Sequence, residues 1–366
     1  LRQELSGITK VVIKIGTNLI TKNNQINLKY LKSLASQIAY LKSKKNIDFI
    51  IVSSGAIGLG IKALNLKKIP STLPEKQAAA AVGQGHLMNI YNTVFKKKGL
   101  ITAQILMTQD DFRDRLRYIN AKNTLNTLIS QQVIPIVNEN DTISVDEIKF
   151  GDNDTLAAHI TNLAGAELLI LFTNVDGLMD YSNNKLIKEV EKIDDKIEGL
   201  IKKEKTELGT GGMATKLKAA EIINKSGEWM IIANGNIPNV ITKIMEMEEI
   251  GTIFKPSSKK LSCKKRWIAF HQKVKGEVQI DEGAKNALLE KGKSLLPIGI
   301  LNVIGSFQQG DLVSIDADKK EIARGIVNYS SDEIKEIKGL KTSDIAEKFK
   351  KDYYIEVIHR DNLVII

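Results

Sequence analysis

Short apolar runs, rich in β-branched residues, recur through the first 255 positions at Val11 to Ile15, Phe49 to Val52, Ile101 to Met107, Val133 to Val137, Leu168 to Thr173 and Met230 to Ala233. Each is strand-sized and nearly continuous in hydrophobicity rather than alternating. Between them, apolar residues fall at helical spacing over Leu28 to Leu41, Glu75 to Phe95 and Met213 to Lys225. Strands apolar on both faces and separated by helices predict a mostly parallel sheet covered on both sides. The fold class is therefore α/β, a three-layer αβα domain over residues 1–255.

Beyond it the pattern changes. A strand at Gly276 to Ile280, a short helix at Asp281 to Lys291, and strands at Gly299 to Ser306, Asp311 to Asp316 and Glu321 to Tyr329 predict a small α+β domain over residues 273–366. Residues 256–272 open on Pro256-Ser257-Ser258 and read as a basic linker between the two domains. There is no internal repeat and no low-complexity tract.

Composition narrows the class. With 43% apolar and 26% charged residues in 366, the chain can bury a core without staples and is neither disordered nor fibrous. The single cysteine, Cys263, excludes a disulfide framework and a multi-cysteine zinc site, and makes a reducing cytoplasm the expected compartment. Leu168 to Phe172, the most apolar stretch, is far too short to span a bilayer, and Leu1 to Thr9 is too polar for a signal peptide. No membrane partner is expected. The net charge of +10 raises nucleic acid as a partner, but its distribution argues otherwise. Lys255 to Lys275 carries eight basic and no acidic residues, whereas Gly276 to Ile366 holds thirteen basic and sixteen acidic.

In an open parallel sheet, ligands bind outside the carboxyl ends of the strands. Lys14-Ile15-Gly16-Thr17 closes the first strand; Lys14 is either a snorkelling strand-end cation or a charge that awaits an anion. Ser53-Ser54-Gly55-Ala56-Ile57-Gly58-Leu59-Gly60 follows the second strand and suits either an anion at a helix N-terminus or tight packing. It is no Walker loop, because no Lys-Ser or Lys-Thr follows the glycines. Asn138-Glu139-Asn140-Asp141 and Gly151-Asp152-Asn153-Asp154 bring six Asn or Asp side chains and one Glu to two strand ends. Turns and caps alone do not need that density, and a polar small-molecule site does. Gly209-Thr210-Gly211-Gly212 runs into a helix opening on Met213-Ala214-Thr215-Lys216, which offers free N–H groups, a positive helix end and a cation to a phosphate. Two separated lysines, glycine-rich loops and clustered small polar groups together suggest phosphoryl transfer to an acidic small molecule.

These segments, with Ala81-Val82-Gly83-Gln84 and Asp114-Arg115-Leu116-Arg117-Tyr118-Ile119-Asn120-Ala121, occur in the order seen in bacterial glutamate 5-kinases, a family of the amino acid kinase superfamily. The resemblance spans nearly the whole chain, and the C-terminal part resembles the PUA domain, an RNA-binding module in other proteins. It implies ATP and Mg²⁺ as cofactors and L-glutamate as substrate, phosphorylated on its γ-carboxylate in the first step of proline biosynthesis. By position, Lys14, Lys216 and Asp154 would be catalytic. Ser54, Gly55, Asn138, Asp141 and Asn153 would hold glutamate, and no residue is assigned to a protein-bound metal. Lys14, Thr173, Asn174 and the stretch Thr210, Gly211, Gly212, Met213, Ala214, Thr215, Lys216 would meet ATP. Relatives usually carry Thr-Asp where this chain has Thr173-Asn174. The resemblance further implies a homo-oligomer, feedback inhibition by proline, and delivery of product to a glutamate-5-semialdehyde dehydrogenase. RNA binding is not expected.

Overall fold

Why the apolar runs become strands is visible in their burial. In β1 (Lys10–Ile15), every residue from Val11 onward is buried, and the same holds for β2 (Asp48–Ser53) after its first residue. A computed structural model describes residues 2–22, 25–144, 153–180, 183–194, 197, 199, 212–257, 265, 268, 274–318, 320–341 and 354–366. The chain divides into a unit of Leu1–Lys260 and a unit of Leu261–Ile366. That division falls inside the segment read as a linker, most of which lies outside the described residues.

The first unit continues with β3 (Thr102–Met107), β4 (Ile134–Glu139), β5 (Leu168–Thr173), β6 (Glu189–Val190), β7 (Trp229–Asn234) and β8 (Thr252–Phe254). They form one eight-stranded sheet in the order β6-β8-β7-β5-β1-β2-β4-β3. Neighbours run parallel except β7 and β8. β1 lies between β2 and β5, so the chain's progress along the sheet reverses there, which is where open α/β sheets form their ligand crevice.

Helices cover both faces. α1 (Leu28–Lys45) starts at Asn27, whose side chain accepts from the Tyr30 N–H, and α3 (Leu73–Lys96) opens on a Thr72/Glu75 capping box. With α7 (Val240–Met245) they bury Val11, Ile13 and Ile15 of β1. On the opposite face lie α4 (Arg115–Ser130), α5 (Asn153–Ala164) and α6 (Met213–Ser226). α5 is buried from Asp154 to Ala164 and packs against β1, β2, β4 and β5. This is the expected three-layer arrangement.

One glycine-rich segment, read as either anion-binding or tightly packed, shows tight packing. Gly58 and Gly60 lie inside a helix, α2 (Ala56–Ala63), that packs along α3. A Cβ on Gly60 would stand 1.7 Å from the Ala79 carbonyl oxygen, and one on Gly83 equally close to that of Ala56. Gly60 and Gly83 serve helix contact, Gly58 is exposed with open space beside it, and Gly55 takes φ 103 at the N-cap, a conformation that favours glycine.

The second unit contains β9 (Gly276–Ile280), β10 (Ile300–Gly305), β11 (Leu312–Ala317), β12 (Lys320–Ile326) and β13 (Leu363–Ile365), ordered β10-β9-β11-β12-β13. Only β9 and β11 pair in parallel. α8 (Glu282–Leu289) and α9 (Ser331–Ile337) close a core that includes Val278, Val313, Ile315, Ala323, Ile334 and Ile337.

Candidate active site

Parallel register brings the carboxyl ends of the central strands level. Ile15 stands beside Ser53 and Phe172, Met107 beside Glu139, and Thr173 beside Asn234. Alternation along β1 sends Val11, Ile13 and Ile15 to the face of α1 and leaves Lys14 for the face of α5. There its ammonium lies 2.7 Å from Asp154 Oδ1, while Lys216 from the first turn of α6 donates to Asp154 Oδ2 at 2.9 Å. Thr215 Oγ1 also donates to Oδ2, at 3.1 Å. Of the two readings of Lys14, the structure gives the buried charge rather than the snorkelling one.

This cluster is almost dry. Asp154 is 0% exposed and the two lysines 6% each. Burial alone raises the Asp154 carboxyl, but the ammonium groups of Lys14 and Lys216 outweigh it and hold the group down at about 2. Two cations thus converge on one buried carboxylate. Buried charge is costly unless compensated, and an ammonium carries three N–H donors. The donor set therefore fits an anion of high charge density, such as the phosphates of a nucleotide.

One residue earlier on α5, a second network begins. Asn153 Nδ2 donates to the Ser53 carbonyl at 3.0 Å, to Ser54 Oγ at 2.8 Å and to Asn138 Oδ1 at 3.1 Å. Asn138 Oδ1 also accepts the Glu139 N–H at 2.9 Å, and Asn138 Nδ2 donates to Gln84 Oε1 at 2.9 Å. Both ends of Asn138 are thus engaged within the protein, holding its neighbours in place. Beneath it, Ser53 Oγ and the buried Tyr91 hydroxyl share a hydrogen bond of 2.9 Å. Asp141, half-buried in the loop after β4, lines a small pocket with Ala56, Gln84, Glu139 and Asn140.

Thr173 ends β5, where its carbonyl accepts the Gly235 N–H at 2.9 Å. Asn174 is exposed, and Asp176 beyond it accepts from Asn234 Nδ2. Gly212 caps α6, Met213 is buried, and Ala214 is exposed. Thr210, Gly211 and Asp152 lie outside the described residues. The structure thus joins Lys14, Asp154, Thr215 and Lys216 in one cluster, and Ser54, Asn138 and Asn153 in another directly beside it. Gln84, Ser53 and Tyr91 were given no site role by sequence reasoning. Gln84 carried a signal: it is a polar residue at helical spacing among the buried apolar positions Ala80, Leu87, Met88 and Tyr91. Among the described residues no helix is long and apolar enough to cross a membrane, and no group of three or more His, Cys, Asp or Glu is placed to hold a metal ion.

Residues 9–234 match the model of the amino acid kinase family, and residues 276–349 that of the PUA domain. The chain is 49% identical to the glutamate 5-kinase of Thermoanaerobacter sp. (strain X514) over 98% of both chains. It is 44% identical to that of Geobacter sp. (strain M21) over the whole of both. Among solved structures, the carbamate kinase from Giardia lamblia bound to AMP-PNP matches with a TM-score of 0.50 at 17% identity, covering 69% of this chain and 100% of the other, a likeness of fold.

Proposed function

Because this chain belongs to the amino acid kinase family, we propose that it transfers the γ-phosphoryl group of ATP to the γ-carboxylate of L-glutamate, giving γ-glutamyl 5-phosphate and ADP, the step that opens proline biosynthesis. The observation that carries the reading is the buried Lys14–Asp154–Lys216 cluster, set beside the amide network of Asn153, Ser54 and Asn138.

The acceptor carboxylate is already an anion at neutral pH, so the protein need not supply a general base. What it must do is align two mutually repelling anions and offset the charge that spreads over the transferring group. Lys14 and Lys216 do the second: a cation at ~4 Å in a partly screened site is worth ~4 kcal/mol. Asp154 fixes their spacing. Lys216 and Thr215 come from the first turn of α6, so the positive end of that helix adds to the same field. Ser54, Asn153 and Asp141 hold the amino acid, with the Asp141 carboxylate meeting its ammonium. Asn138 orients Asn153 rather than touching substrate. Mg²⁺ would enter on the nucleotide's phosphate oxygens, keeping several waters, and neutralise part of their charge.

The test is a hydroxylamine trap for acyl phosphate, run with ATP and a panel of L-glutamate, L-aspartate, N-acetyl-L-glutamate and carbamate. Hydroxamate formed with glutamate alone is the expected result. Equal or greater yield from another acid overturns the substrate assignment.

A further inference from the structure

Gln84 is 8% exposed in the middle of α3, and its Nε2 is a buried donor with no hydrogen-bond partner among the described residues. Buried amide groups are nearly always satisfied, so such a group asks for a ligand. Gln84 also lines the small pocket that Asp141 lines, at the carboxyl edge of the sheet.

Which end of the Gln84 amide faces that pocket is fixed by backbone groups that have only one polarity. The Glu139 N–H can only donate, so the Asn138 atom it meets at 2.9 Å is the oxygen. The other end of Asn138 is then NH₂, and the Gln84 atom it meets at 2.9 Å must be Oε1. The Gln84 NH₂ is left over by necessity. Independently, the Ser53 carbonyl can only accept, which sets the Asn153 NH₂ toward Ser53 and Asn138. Every amide in the relay Asn153–Asn138–Gln84 thus has its orientation dictated from the main chain.

The relay also has a direction. Asn153 adjoins Asp154 and hence the lysines; Gln84 is at the far end, next to Asp141. We propose that Gln84 is a specificity-determining residue, its Nε2 donating to the α-carboxylate of the amino acid substrate while the γ-carboxylate points to Lys14 and Lys216. The inference rests on the glutamate kinase reading above. The pocket then presents an anion, Asp141, to the ammonium, and a neutral donor, Gln84, to the carboxylate beside it. Two unlike groups on one α-carbon are read by two side chains of matching chemistry. An amide is suited to this because its orientation is locked: a cation there would pair with Asp141 instead.

Gln84→Glu tests this directly. It keeps the oxygen that Asn138 needs and replaces the donor by an acceptor. At pH 8 the glutamate KM should rise at least ~10-fold with kcat and the ATP KM near wild type. L-Isoglutamine, whose α-carboxyl is an amide and can donate to the introduced carboxylate, should gain relative to glutamate by at least ~10-fold in kcat/KM compared with the wild type. A merely structural role lowers both substrates together, and an unchanged ratio overturns the proposal. Gln84→Met removes the donor without adding charge and covers a misfolded Gln84→Glu. With a thermal midpoint near wild type, it should still raise the glutamate KM selectively, and an unaltered KM in that folded variant also overturns it. If the wild type itself makes no hydroxamate from glutamate, it is the kinase reading that falls, before either variant is assayed.

Discussion

The two units of the chain bury polar side chains in opposite ways. In the first, Lys14, Gln84, Asn138, Asp154 and Lys216 are all withdrawn from water at one edge of a sheet. In the second, Ser331 is the buried polar side chain among the described residues, and three of the cations lie in ion pairs that keep access to water. Lys285 sits with Glu282 and Asp318, Lys335 with Asp332, Arg324 with Glu321. Surface pairs of that kind contribute little and constrain little. A buried ionic cluster is costly to keep, and such clusters concentrate at functional sites. The contrast supports placing the proposed chemistry in the first unit.

The most severe way to break the contrast is to take one cation out of the first unit's buried cluster. Lys216→Ala leaves Lys14 beside Asp154, so the fold should survive, but one of the two cations proposed to meet the transferring group is gone. We expect kcat to fall by ~10²–10³ with the glutamate KM nearly unchanged, since the lost charge matters most in the transition state. Steady-state kinetics on the purified variant decides it. A normal kcat with a raised glutamate KM would assign Lys216 to substrate binding instead.

The reach of sequence reasoning follows the same division. The central strands were legible because strands buried on both faces write themselves as continuous apolar runs, and α1, α3 and α6 because apolar residues recur along them at helical spacing. α4 was not: in a sixteen-residue helix only Tyr118, Leu125 and Ile129 are buried, too sparse for a helical stripe. β8 and β13 are three residues each and owe their existence to neighbours rather than to their own pattern. In the site, Lys14, Asp154 and Lys216 stood out by type and position at strand and helix ends. The orientation of the Gln84 amide did not, because it depends on the main-chain N–H of Glu139, remote in sequence, acting through Asn138.

A milder probe sharpens what burial does in the first unit. His159, on α5 beyond Asp154, is buried and rests 5.4 Å from the Phe112 ring. Burial, and secondarily the charge of Lys218, push its imidazole down to about 3. Its folded pKa is below the unfolded value, so between about pH 6.5 and 3 the unfolded state binds the extra proton. The stability held by the neutral ring is whole above that window and is lost as pH falls through it, at up to ~1.4 kcal/mol per pH unit. Asp154 acts in the same direction at lower pH, as its depressed carboxyl is protonated. His159→Leu should flatten the fall in stability between pH 6.5 and 4.5, measured by urea unfolding. An identical slope in the variant would show that His159 is not what titrates.

The smallest effect is expected in the second unit, where the PUA match invites a test with RNA. A polyanion binds by replacing counterions around lysines and arginines, and its affinity falls steeply with salt. From Gly276 to Ile366 there are thirteen basic and sixteen acidic residues, so the average field repels phosphate. Three of the cations are engaged besides: Lys285 has its pKa raised by hydrogen bonds to Asp318 and Glu282, and Lys335 and Arg324 are held by carboxylates on their own elements. An incoming phosphate would have to displace those carboxylates before gaining anything. Fluorescence titration of the whole chain with a labelled RNA hairpin at 150 mM salt should therefore show no saturable binding up to tens of micromolar. Micromolar affinity that weakens tenfold or more between 50 and 200 mM salt would mean that a local basic face outweighs the net charge, and the contrast between the two units would then be one of ligand rather than of function.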